Sequence, residues 1–123
     1  MDFTPSPEAA KLAQRIREFV SAEILPLEVD RSNYDEHENI ALPVLDRLRT
    51  KAKAAGLWAP QIPRDLGGHG LNVAGLAVCY EAMGRSIFGP VAFNCAAPDD
   101  GNMTVLAKLA TAEQKRRWLA PSC

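Results

Sequence analysis

Glu81 is the carboxylate with the strongest claim to chemistry, because it sits in the otherwise apolar stretch from Val73 to Ile87, whose only other charge is Arg85. Burial there would raise its pKa towards that of a general base. Arg85 lies one helical turn later, and an i,i+4 Glu–Arg pair keeps the acid charged and points to a structural clamp. His37 and His69 are the only histidines, which excludes a multi-histidine metal site. His37 stands in a charged connector and reads as solvated. His69, among glycines, reads as an exposed turn histidine, with a ligand contact as the alternative. The three cysteines, Cys79, Cys95 and Cys123, are odd in number and form no CxxC pair, so a reducing compartment is the simplest reading. Cys79 on the apolar stretch reads as an inert small hydrophobe. Cys95 stands in a loop, with no basic neighbour to lower its pKa. Gly68-His69-Gly70 resembles the start of a phosphate loop, but Val73 occupies the place of the third glycine and no strand precedes it. Lys115-Arg116-Arg117 reads as a solvated helix face, and Trp118 as core or interface.

The elements that must position these residues are helices. Ser6-Pro7-Glu8 reads as an N-cap, a proline at the first helical position and an acid in the positive first turn. Ala9, Leu12, Ala13, Ile16, Phe19 and Val20 then share one face, and Pro26 ends or kinks the helix near Leu25. A polar connector to Ile40, with at most one helical turn, leads to a second helix. Leu45, Leu48, Ala52 and Ala55 line its inner face, and Gly56 follows it as the left-handed cap. Asn72 caps a third helix over Val73 to Ile87, which is apolar nearly all round and is expected at the centre. Gly89-Pro90 interrupts it, Val91 to Gly101 reads as a loop, and Asn102 is the expected cap of a fourth helix through Ala110. Thr111 and Gln114 form a capping box for a fifth helix running towards Pro121. No stretch alternates convincingly with period two, so the fold class is all-α, a bundle of about five helices.

Between the second and third helices lies the connector Gly56 to Gly70, with two prolines (Pro60, Pro63) and four glycines (Gly56, Gly67, Gly68, Gly70). That density forbids a helix, yet Leu57, Trp58 and Ile62 are apolar enough to pin the segment to a core. Gly-Leu-Trp at 56–58 and Pro-Arg-Asp-Leu-Gly-Gly-His-Gly at 63–70 resemble the linker after the second helix in the N-terminal helical domain of the acyl-CoA dehydrogenase family. Asn-Cys-Ala-Ala-Pro-Asp-Asp-Gly-Asn-Met at 94–103 resembles that family's pocket-side loop. Thr-Ala-Glu-Gln-Lys-Arg-Arg-Trp-Leu at 111–119 resembles its Thr-x-Glu-Gln-Lys helix, although Ala110 stands where a glycine is usual.

The resemblance implies an FAD-dependent enzyme that removes a proton α to a thioester carbonyl with a glutamate and passes the β-hydride to flavin. It implies that the loop from Phe93 to Met103 lines the slot for the acyl tail, with Phe93, Asn94, Ala97 and Met103 as substrate-binding candidates. Small residues at Ala96 and Ala97 leave room for a longer chain. The flavin-binding β-domain and the C-terminal helical domain with the base come after the matched region in that family. The expectation is therefore an N-terminal domain, residues 1–123, with no catalytic residue of its own, no FAD bound to it alone and no turnover by itself. An acyl-CoA substrate, an electron-transfer partner and a homo-oligomer are implied for the whole enzyme. A flavin monooxygenase of the same fold and a free-standing helical binding or assembly module are the alternatives.

Bulk properties agree with one soluble domain. With 47% apolar residues, 24% charged residues and a net charge of -1, the chain can bury a core and offers no polyanion-binding surface, so no nucleic-acid partner is expected. The N-terminus has neither a basic nor an apolar leader segment, and no window approaches the ~20 apolar residues of a membrane span. A cytoplasmic location is expected.

Overall fold

The structure is a computed structural model that describes residues 3–123. Helix α1 (Pro7–Phe19) starts as the sequence predicts: the Ser6 hydroxyl accepts the Ala9 amide at 3.2 Å, and Ala9, Leu12, Ala13 and Ile16 are buried. Pro26 does not end the helical run, which continues without a gap to Glu28. It has no N–H to offer the carbonyl one turn back, and the backbone accommodates this by widening to a π-turn over Val20–Ile24, where the Leu25 amide reaches the Val20 carbonyl. A single turn, α2 (Leu25–Glu28), follows. The polar connector holds one 3₁₀ turn, Arg31–Asn33, and folds back through an isolated antiparallel bridge between Tyr34 and Ile40.

Helix α3 (Leu42–Ala54) buries Val44, Leu45, Leu48 and Ala52. Its end is a Schellman cap: Gly56 takes φ +64°, its amide donates to the Lys53 carbonyl, and the Leu57 amide donates to the Ala52 carbonyl, both at 2.9 Å. The connector after it is anchored by buried Leu57 and Ile62.

Helix α4 (Val73–Met83) is capped by Asn72, whose Oδ1 accepts the Gly75 amide at 2.9 Å. Gly75 lets α4 press on α1, since a Cβ there would stand 3.0 Å from that of Ala9. Two expectations fail for this helix. It stops at Met83 and not at Ile87, because the next turn is taken over by Ser86, whose hydroxyl donates to the Glu28 carboxylate and accepts the Phe88 amide. Nor is it buried all round: Cys79, Ala82 and Met83 face the core, while Val73 is 83% exposed and Ala77 and Glu81 face outward. Arg85 falls beyond the helix end, and the clamp to Glu81 does not form among the ion pairs of the described residues.

Gly89-Pro90 does not break the chain; it opens a short helix, α5 (Gly89–Ala92), with Pro90 in the first turn where its missing N–H costs nothing. Helix α6 (Asp99–Leu109) begins three residues before Asn102, with Asp99 and Asp100 in its positive first turn. The expected loop is therefore only 93–98. Thr111 and Gln114 form the capping box at the start of α7 (Ala112–Gln114), which widens into a π-turn over Lys115–Leu119. Leu119 is fully buried against Ala59, Ile62 and Met103, so the last element packs on the connector and α6. The fold is an all-α bundle whose long members α1, α3, α4, α6 and the α7–Leu119 stretch answer to the five expected helices. No strand occurs among the described residues, and no helix is long and apolar enough to cross a membrane.

Candidate functional site

The segment from Phe93 to Met103 is held at both ends by burial and in the middle by hydrogen bonds. Phe93 is 0% exposed and meets Phe19 edge-on with ring centroids 5.3 Å apart. Asn94, 7% exposed, takes the left-handed conformation at φ +61°, and its Nδ2 donates to the Ser122 carbonyl at 2.9 Å and lies 3.4 Å from the Met103 sulfur. Met103, 3% exposed, belongs to the smaller core cluster with Leu119. The structure thus brings Phe93, Asn94 and Met103 together on the buried side of the loop. Ala97 is on the open side, exposed with Pro98 and Asp99.

The connector holds this loop. The Ala59 amide donates to the Phe93 carbonyl at 2.9 Å. The Gln61 side chain uses both ends of its amide on consecutive residues: Nε2 donates to the Asn94 carbonyl at 2.8 Å, and Oε1 accepts the Cys95 thiol at 3.2 Å. From α4, the Tyr80 hydroxyl donates to an Asp100 carboxylate oxygen at 3.1 Å. Gln61 escaped the sequence reading. Its only signal is its place as a polar residue between Pro60 and Ile62, both of which are buried.

A cleft of about 440 Å³ opens beside the loop, bounded by Asn94 and Asp99 and by Arg49, Lys53 and Trp58. Lys53 Nζ stands 4.4 Å and the Arg49 guanidinium 5.9 Å from the Trp58 ring centroid, and the indole N–H donates to the Ser122 carbonyl at 3.3 Å. A second, apolar groove of about 250 Å³ runs between α6 and α7, lined by Val105, Leu106, Leu109 and Trp118. Trp118 is half exposed under the Arg117 guanidinium and is not a core residue.

The remaining candidates are occupied locally. His69 Nε2 is 3.0 Å from the Gly56 carbonyl, closing the connector on itself, and His37 is exposed beside Glu36. The amides of the glycine run are engaged within the chain: Gly67 bonds the Arg64 carbonyl, Gly68 that of Pro63 and Gly70 that of Ile62. The Gly75 amide in the first turn of α4 is likewise held, by the Asn72 side chain.

The thiols are quiet. Burial pushes Cys79 up to about 11, and burial together with the neighbouring Asp100 charge raises Cys95 further; burial likewise raises Tyr80. A thiol raised by folding stays protonated while its unfolded counterpart ionises near pH 9, so its contribution to stability is full below that pH and is lost as pH climbs towards 11. The expected urea midpoint is flat from pH 7 to about 8.5 and falls above it. At pH 8 a disulfide reagent should label Cys123, which is only partly covered, well ahead of the other two. Equal labelling of Cys95 in the folded protein would contradict this account.

These features define an all-α domain in which a glycine-rich connector clasps one partly open loop against a helical frame. Residues 6–123 match the family described as the N-terminal domain of acyl-CoA dehydrogenase, and the chain belongs to that family. It is 36% identical over 123 residues to acyl-CoA dehydrogenase family member 10 of Mus musculus, covering 94% of this chain and 12% of that protein. It is 34% identical to acyl-CoA dehydrogenase family member 11 of Homo sapiens, covering 97% of this chain and 16% of that one. The solved structure of a Mycobacterium abscessus protein assigned as an acyl-CoA dehydrogenase superposes with a TM-score of 0.82 at 41% identity, over 96% of this chain and 32% of the other. The chain spans a third or less of the length of each of these relatives.

Proposed function

We propose that this chain is the N-terminal domain of an FAD-dependent acyl-CoA dehydrogenase that forms the α,β double bond of an acyl-CoA thioester. The loop from Phe93 to Met103 walls its acyl-tail slot, with Ala97 on the open side and Phe93, Asn94 and Met103 holding the loop from the core side. The observation that carries the reading is the match across residues 6–123, joined to the close superposition on the Mycobacterium abscessus structure. Ala96 and Ala97, small and next to one another in the loop, leave room for a longer tail. The whole enzyme works in the cytoplasm as a homo-oligomer and hands its electrons to a separate carrier.

The test is the whole polypeptide containing this domain, purified with excess FAD and given saturated acyl-CoAs of graded length under anaerobic conditions. The expected result is a yellow protein whose flavin absorbance bleaches on substrate addition, while residues 1–123 alone give no turnover. A colourless protein, or one that no acyl-CoA bleaches, would refute the assignment.

A further inference from the structure

We propose that Gln61 and Tyr80 are positioning residues that set the reach of the acyl slot by holding the 94–100 segment from two sides. The proposal rests on the reading that this segment walls the slot. Its own basis is the distribution of restraint along the loop. Phe93 and Asn94 at one end and Met103 at the other are buried, but Ala97, Pro98 and Asp99 are exposed and contribute little packing. A run of small, exposed residues has no side-chain interlock to fix it, so its position is set by the hydrogen bonds at its edges.

Those bonds come from two different elements. Gln61, on the connector, grips the Asn94 carbonyl at 2.8 Å and the Cys95 thiol at 3.2 Å. The amide has one productive orientation here, since a flip would set its oxygen against the Asn94 carbonyl oxygen and its NH₂ against the thiol proton. The gripped residue marks a turn of the backbone: Asn94 lies at φ +61°, a conformation Asn adopts more readily than most L-residues. At the far edge, Tyr80 on α4 holds the Asp100 carboxylate in the first turn of α6 at 3.1 Å. Ala97 stands between the two grips. Releasing either one lets Ala97 move relative to the buried side of the loop, and a slot wall displaced by an ångström changes which chain length fits.

The experiment uses the whole enzyme and reads the ratio of kcat/KM for a long against a short saturated acyl-CoA. Gln61→Met keeps the bulk and removes both bonds; Tyr80→Phe removes a single hydroxyl. Tyr34→Phe, which likewise removes a single hydroxyl but one bonded to the Glu28 carbonyl away from the loop, controls for general loosening. A change in the ratio of about fivefold or more in Gln61→Met and Tyr80→Phe, with Tyr34→Phe within twofold of wild type, is the expected result. If Gln61→Met does not fold, Tyr80→Phe alone decides. An active enzyme in which the folded variants keep the wild-type ratio overturns the positioning role and leaves the dehydrogenase reading intact. A wild-type enzyme that dehydrogenates no acyl-CoA removes both.

Discussion

Gly68→Ala is expected to destabilise the protein by about 3 kcal/mol, the upper end of what forcing one extra methyl into a packed site costs. The added Cβ would lie 1.8 Å from the Ile62 carbonyl oxygen and 2.4 Å from the carbonyl carbon, so backbone would have to yield. Ile62 cannot yield easily: its side chain is fully buried, its amide donates to the Ala59 carbonyl, and its own carbonyl accepts the Gly70 amide. Two neighbouring cases separate this clash from the general cost of replacing glycine. Gly67, at φ +94° with open space around it, should lose only about 1–2 kcal/mol to its left-handed backbone on change to alanine. Gly101, with nothing within 4 Å and a place inside α6, should gain about 0.5–1 kcal/mol. Urea midpoints should therefore rank Gly101→Ala above wild type, then Gly67→Ala, then Gly68→Ala. A Gly68→Ala protein as stable as Gly67→Ala would mean that the connector is not pinned to Ile62 as described.

The features that sequence reading places correctly are those decided within four or five residues. Ser6, Asn72 and the Thr111–Gln114 box each cap the helix they were expected to cap, and Gly56 ends α3 in the left-handed region. In each case a side chain or a missing Cβ satisfies its own helix end, so no distant partner enters. The misplaced boundaries are those that a tertiary contact decides. Whether Gly89-Pro90 breaks a helix or begins one depends on where the preceding helix stops. That in turn depends on Ser86 bonding to Glu28, 58 residues earlier. The same contact leaves Arg85 outside α4 and dissolves the expected pair with Glu81.

The candidate site follows the same division. The loop itself was legible through its small residues and the match in motif. Which side chains point out of it was not, because a loop has no period from which to infer facing. The sequence treats Phe93 and Ala97 alike, but the fold puts one in the core and leaves the other open. Gln61 was invisible for a stronger reason: its role is defined by two groups 33 and 34 residues away.

Phe93→Ala and Ala97→Phe should consequently have opposite signatures. Removing the Phe93 ring deletes a fully buried side chain and its edge contact with Phe19, and leaves a cavity between α1 and the loop. The expected cost is about 3–5 kcal/mol, a large share of the 5–15 kcal/mol that a domain commonly has. Some of this protein should then be unfolded at 37 °C. Ala97→Phe adds its ring on the exposed side and should leave the urea midpoint of the domain within about 0.5 kcal/mol of wild type. In the whole enzyme the added ring would fill part of the proposed slot, so kcat/KM should fall for long acyl-CoAs by about tenfold or more while the shortest substrates are spared. Stability and chain-length preference are thus carried by residues four apart on one loop, and each variant tests one of them with the other as its control. If Ala97→Phe lowered turnover equally for every chain length, the open side of the loop would not face the tail. If Phe93→Ala left the midpoint unchanged, the packing of this loop against α1 would be wrong.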